Sequence, residues 1–205
     1  MLVLRVGATG LDVLMGRRGR TAVFSNAYVF AGGKVDRTDR LPRPSGDLDP
    51  DISRRLSSDP NMARALAMAA VRETFEETGL ILGAPGDLGD TGDESWEAMR
   101  AFQLAPNLAR LAYLGRAITP ASRAIRFHAR FFCAWFSDMA GELGGSGELA
   151  NLAFVPVRAA LDLPLVDVTQ FMLEEVLRRE GTGFAVPDRY PFFSYRKERR
   201  HVRYG

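Results

Sequence analysis

A single cysteine in 205 residues excludes an internal disulfide. Cys133 lies in the aromatic run RFHARFFCAWF, which reads as a buried strand, so it belongs to a core rather than to nucleophilic chemistry. A chain without disulfides fits a reducing cytoplasm. No apolar run approaches the roughly 20 residues that a bilayer span requires. The opening residues MLVLRVGATG carry no basic leader, long apolar segment or cleavage site, and they read as a strand rather than a signal peptide. No internal repeat is present. An excess of one charge is lacking too, since the net charge is only +2. Six Lys/Arg against two acids fall in Phe184–Gly205, so the basic balance belongs to the tail, and the rest of the chain is slightly acidic. That distribution argues against a broad nucleic-acid-binding surface.

What is present is apolar content of 46%, enough for the core of one domain with an elaboration. The most informative stretch is RALAMAAVRETFEETGLIL, Arg64 to Leu82. Asp59, Pro60 and Asn61 supply turn and N-cap chemistry, the following residues are strong helix formers, and Gly79 suits a left-handed C-cap. The pattern predicts a helix from about Asn61 to Thr78. Glu73, Glu76 and Glu77 stand at i, i+3 and i+4, so three like charges share one face. They also crowd toward the helix C-terminus, where the dipole opposes an acid by roughly 0.3–1 kcal/mol. Such a face suits a hard divalent cation, Mg²⁺ or Mn²⁺, which takes carboxylate oxygens together with substrate phosphates. Arg72, four residues before Glu76, is placed to orient that carboxylate.

The string RETFEETGL resembles the core of the Nudix hydrolase signature, R-E-U-x-E-E-x-G-U with U bulky and apolar. Arg72, Glu73, Glu76, Glu77, Gly79 and Leu80 match, and Thr74 takes the first U position. Upstream, YVFAGGKVDRTD supplies the paired glycines, with Ala31 where the family usually has Pro. Five residues after Gly33 comes Asp39, where the family has Glu. Between Asp39 and Arg72 lie 32 residues where seven are usual, an insertion of about residues 40–60 within the box. This arrangement, with DVLMGRR, ITPASRAIRFHARFFCAW and ELANLAFVPVRAALDLPL, is similar to the coenzyme A diphosphatase-like subgroup.

The resemblance implies an α/β fold, the Nudix-type α/β/α sandwich around a mixed β-sheet, over residues 1–183. Residues 184–205 form a basic, aromatic C-terminal tail. Strands are expected at Leu2–Val6, Leu11–Arg17, Ala27–Phe30, Ala109–Ile118, Ile125–Phe136 and Leu149–Pro156. Helices are expected at Glu94–Phe102, Val157–Asp162 and Val168–Glu180. Asp36–Pro60, with Pro42, Pro44, Pro50 and Pro60, reads as a solvated loop or a lid containing one short helical turn at Ile52–Ser57. Gly83–Asp93 reads as a connector.

The implied activity is metal-dependent hydrolysis of a diphosphate linkage in a nucleoside diphosphate derivative, coenzyme A or acyl-coenzyme A first. An ADP-ribose or dinucleotide diphosphatase and a non-catalytic Nudix-fold binding module are the alternatives. The resemblance assigns metal binding to Glu73, Glu76 and Glu77, with backbone oxygen from Gly32 and Gly33. The general base is left open between a box glutamate and two loop acids, Glu142 and Glu148. Arg126, His128 and Arg130 alternate onto one strand face, which makes Arg126 and Arg130 candidates for phosphate contact against a solvated-face reading. Arg17 and Arg18 are candidates for a phosphate or adenine contact. The tail mixes cations and aromatics, as single-stranded nucleic-acid sites do. The favoured reading packs it on the domain or on a second copy in a homodimer.

Overall fold

A computed structural model of the chain describes residues 1–19, 26–120, 122 and 126–205. In chain order the strands and α-helices are β1 Leu2–Gly7, β2 Gly10–Arg18, β3 Tyr28–Val29, α1 Pro50–Leu56, α2 Pro60–Thr78, β4 Leu80–Pro85, α3 Glu94–Arg100, β5 Leu104–Pro106, β6 Ala112–Ile118, β7 His128–Trp135, β8 Met139–Gly141, β9 Leu149–Pro156, α4 Val157–Ala160, α5 Asp167–Glu180, β10 Pro191–Arg196 and β11 Arg199–Tyr204. The main sheet runs β11-β10-β6-β7-β1-β2-β3, and β9 pairs with β2 as well. It is mixed, with β1 parallel to β7 and β10 parallel to β6. A smaller sheet, β5-β4-β8, lies apart from it.

Alternation along the central strands separates two apolar layers. Phe132 and Ala134 of β7 pack in a cluster with Ala63, Ala67, Met68 and Val71 of α2. Cys133, between them, packs with Met172, Leu173 and Val176 of α5. On β6, Tyr113 and Leu114 divide between the same two clusters. This period of two, with a helix layer on either face, makes the α/β/α sandwich that the sequence predicted. Burial pushes the Cys133 thiol up to about 12, consistent with a core residue.

A register shift between Tyr113 and Gly115 breaks the β6–β7 ladder. The buried guanidinium of Arg179 reaches from α5 to donate to the Tyr113 carbonyl at 2.8 Å and the Leu114 carbonyl at 2.9 Å. Glu175, one helical turn back, accepts from Arg179 Nε at 2.9 Å. Helix and sheet are thus joined by a satisfied buried network at the irregularity.

Two expectations need correction. The segment after Asp39 is not a free solvated loop. Its backbone joins the small sheet, with Ser45 N donating to Pro106 O at 2.8 Å and Leu108 N to Gly46 O at 2.7 Å. Leu48 and Leu56 enter the α2 core cluster. Second, the connector expected from Gly83 begins as strand, because β4 extends to Pro85 and pairs with both β5 and β8. The chain from Pro191 onward packs on the domain, in line with the favoured reading, as a hairpin of the main sheet. Phe193, from that hairpin, is 1% exposed. Among the described residues no helix is long and apolar enough to cross a membrane.

Candidate active site

The acidic face belongs to the last two turns of α2. The helix starts where Asp59 accepts from Asn61 N at 2.9 Å with Pro60 at its first position, and it ends at Gly79 with φ 76°. The β8–β9 loop covers that end. Ser146 N donates to Glu76 O at 2.7 Å and Gly144 N to Thr78 O at 2.9 Å, satisfying carbonyls that a helix terminus leaves open. Gly145 has φ 90°, and a Cβ there would collide with the Glu77 carbonyl.

Arg72 organises the carboxylates. Its Nε and Nη2 form a two-point pair with Asp39 at 2.7 and 3.1 Å. Nη2 also donates to Lys34 O at 2.9 Å. Nη1 faces Glu73 at 3.0 Å and Glu76 at 3.1 Å. Asp39 is completely buried, at 0% side-chain exposure, and its pairing spans 33 positions of sequence. The upstream and downstream parts of the motif therefore meet despite the long segment between them. Sequence reasoning noticed Asp39 only as a departure from the family's Glu. Its place after Gly33, with five residues between them, was the signal for this role.

The paired glycines lie against the other carboxylates. Gly32 N donates to Glu77 Oε2 at 2.8 Å. A Cβ at Gly33 would occupy the position of the Glu73 carboxyl group, so only glycine allows that approach. Burial raises the pKa of Glu73, with Arg72 opposing. Burial also pushes Glu77 up to about 7. The Gly32 amide opposes that shift, Glu148 adds to it, the Met1 amino group opposes it, and Glu73 adds to it.

No family model matches the chain, and no curated protein matches it. Among solved structures, a Nudix hydrolase from Alicyclobacillus acidocaldarius is 29% identical over 90% of this chain and 92% of its own, with a TM-score of 0.65. The MutT protein from Bacillus halodurans is 13% identical over 98% and 97% of the two chains, with a TM-score of 0.50. The Nudix domain of Shewanella oneidensis NrtR, solved with ADP ribose, is 12% identical over 87% and 83%, with a TM-score of 0.51. The last two speak to fold alone. This is a Nudix hydrolase fold. With the box core in place, the chain is an enzyme of the Nudix hydrolase type.

Nudix hydrolases generally use divalent cations, and the donor set here can be tested for one. Among the described residues, no three His, Cys, Asp or Glu side chains already converge as ligands. Glu73 and Glu77 nevertheless fit a hard cation. They are carboxylates whose pKa burial raises, and the Glu73 charge adds to the rise at Glu77, so a cation beside them offsets the cost of holding both charges. Mg²⁺ is commonly held by one or two carboxylates plus water and substrate phosphates. Glu76 differs, because both of its oxygens accept from Arg72 Nη1, at 3.1 and 3.2 Å.

The remaining candidates separate by location. Glu148 lies within electrostatic range of Glu77. Glu142 meets the helix end through its backbone, since its carbonyl packs against Gly79. Arg17 and Arg18 lie on β2 opposite Ala150 and Leu149, beside Glu148. Arg126 is exposed ahead of β7. Arg130 donates to His128 O at 2.9 Å and Leu56 O at 3.4 Å. Leu56 precedes the start of α2, so Arg130 lies toward the end of that helix away from the carboxylates.

Proposed function

We propose that this chain is a metal-dependent diphosphatase that cleaves the diphosphate linkage of a nucleoside diphosphate derivative, with coenzyme A or acyl-coenzyme A as its substrate. The observation carrying the reaction class is the convergence of Glu73, Glu77 and the Gly32–Gly33 backbone at one end of α2. In this reading Glu73 and Glu77 hold Mg²⁺ or Mn²⁺, with Glu76 and the glycine backbone completing the shell. Bound there, a divalent cation neutralises the diphosphate and lowers the pKa of water. Arg72 fixes the Glu73 and Glu76 carboxylates, and Asp39 fixes Arg72. Glu148, whose charge raises the pKa at Glu77, takes the proton of the attacking water on a carboxylate oxygen in this reading, with Glu142 the alternative. Arg17 and Arg18 receive the nucleotide side of the substrate next to that loop.

The coenzyme A assignment rests on the sequence resemblance, and the long segment between Asp39 and Arg72 belongs to it. ADP-ribose is the second reading, favoured by the fold shared with the ADP-ribose-bound Nudix domain. A side-by-side turnover assay with Mg²⁺ or Mn²⁺ over coenzyme A, acetyl-coenzyme A, ADP-ribose, dinucleoside polyphosphates and nucleoside triphosphates tests both. Coenzyme A species should be cleaved fastest. Equal or faster turnover of ADP-ribose removes the substrate assignment, and ligand binding with no metal-dependent turnover of any compound favours the non-catalytic alternative.

A further inference from the structure

Register places four side chains in a single row across the main sheet. Arg203 of β11 pairs with Phe192 of β10, Phe192 with Arg116 of β6, and Arg116 with Arg130 of β7. Cross-strand partners share a face, so three guanidinium groups and one aromatic ring lie side by side. The Arg116 guanidinium is 4.3 Å from the Phe192 ring centre and that of Arg203 is 5.4 Å away. His128, two residues before Arg130 and therefore on the same face, has its ring centre 6.4 Å from that of Phe192. Arg203 and His128 are exposed, while Arg116 and Arg130 are half-buried.

This row is electrostatically unfavourable as it stands. Like charges directly opposite on neighbouring strands destabilise a sheet, and Arg116 faces Arg130 in that way. Among the described residues, no carboxylate pairs within 4.0 Å with Arg116, Arg130, Arg203 or His128. Arg130 Nε is buried without a hydrogen-bond acceptor among them. The pKa of Arg130 is lowered by burial and by Arg116, and that of His128 by burial, Arg130 and Arg116. An orphaned guanidinium donor is costly, and planar guanidinium forks match the oxygens of phosphate.

We propose that Arg116, Arg130 and Arg203, with His128 beside them, form a second phosphate-binding site, separate from the box carboxylates. Arg130 is tied to Leu56 before the start of α2, and at 1.5 Å rise per residue the axis from there to Glu73 measures on the order of 20 Å. One diphosphate group does not span that separation. The ligand here is therefore a phosphate other than the diphosphate being cleaved, of the kind that inorganic diphosphate or a nucleotide presents.

The chain has two histidines, so ring-proton NMR of the full-length protein in EDTA reads His128 directly, with assignment by His201→Gln. Titration with inorganic diphosphate should shift the His128 signal saturably. Titration with AMP distinguishes the two sources, since a shift from diphosphate alone means an inorganic ligand, whereas a shift from AMP means a nucleotide phosphate is accepted. Arg116→Gln and Arg203→Gln should each weaken binding about tenfold, the loss of one charge-assisted hydrogen bond. Arg116→Gln should also melt no lower than wild type in phosphate-free buffer, because it relieves a repulsion. Glu77→Gln should bind as wild type does, whatever happens to turnover. An unsaturable shift, one reproduced by sodium chloride at matched ionic strength, or one abolished by Glu77→Gln but kept in Arg116→Gln overturns the proposal.

Discussion

Glu77 is a carboxylate placed where burial disfavours its charge. It is 3% exposed, accepts one amide hydrogen bond from Gly32 and feels both Glu73 and Glu148. Its pKa rises from 4.5 to about 7, so the folded chain binds a proton here that the unfolded chain has released. The stabilising contribution is present below about pH 4.5 and is lost as pH rises through about 7. A shift of that size is worth on the order of 3 kcal/mol. Glu77→Gln keeps a carbonyl oxygen for the Gly32 amide and removes the buried charge. In EDTA the variant should match wild type near pH 4.5 and exceed it at pH 8, as followed by urea unfolding. With Mg²⁺ the order reverses, because wild type gains melting temperature by mass action while the variant loses most of that gain and most of its turnover. A variant that retains wild-type turnover and the same Mg²⁺-dependent stabilisation removes Glu77 from the metal site.

At the scale of elements, the segment from Leu41 to α1 shows how composition can mislead. Its prolines and aspartates read as solvated, yet Gly46 bridges to Asn107, Leu48 and Leu56 are buried, and Asp49 caps α1 through the amides of Asp51 and Ile52. Leu48, Ile52 and Leu56 do stand at i, i+4 and i+8, but prolines and aspartates surround them, and only the partners they meet reveal the role. Leu56→Ala should cost about 2–4 kcal/mol in thermal or urea unfolding, the usual penalty for truncating a packed leucine. A change below about 0.5 kcal/mol, as at most surface sites, would restore the free-loop reading. The small sheet was missed for a related reason. β5 and β8 have three residues each, and β4 ends in Gly-Ala-Pro, so local propensity is weak and strand character comes from cross-strand pairing.

Across the whole molecule, the final hairpin closes one side of the sheet. β10 lies parallel to β6, and Tyr190 and Phe193 are buried at 7% and 1%. Tyr190 also stacks near Tyr113, with ring centres 4.9 Å apart, and Phe193 lies 5.0 Å from Phe171 of α5. Deleting Pro191–Gly205 should expose the β6 edge and the Phe171 ring, giving a chain that aggregates or unfolds without a cooperative transition. Far-UV circular dichroism with size-exclusion chromatography checks this. A monomeric truncated chain that melts within a few degrees of wild type would show the hairpin to be dispensable to the fold.

The sequence by itself determined the elements whose signals are local. Alternation marked β1, β2, β7 and β9, the 3.6-residue period marked α5, and caps with helix formers marked α2 to within one residue at each end. It also determined that Glu73, Glu76 and Glu77 share a face, because helical spacing alone requires that. Tertiary structure decided everything that depends on segments distant in the chain. Arg72 finds Asp39 across 33 positions, Gly32 finds Glu77 across 45, and the β8–β9 loop brings Glu148 into electrostatic range of Glu77. It also aligned Arg203, Phe192, Arg116 and Arg130 in one row. The physical reason is that spacing fixes which side chains leave one element together, whereas burial and register between elements fix what those side chains meet.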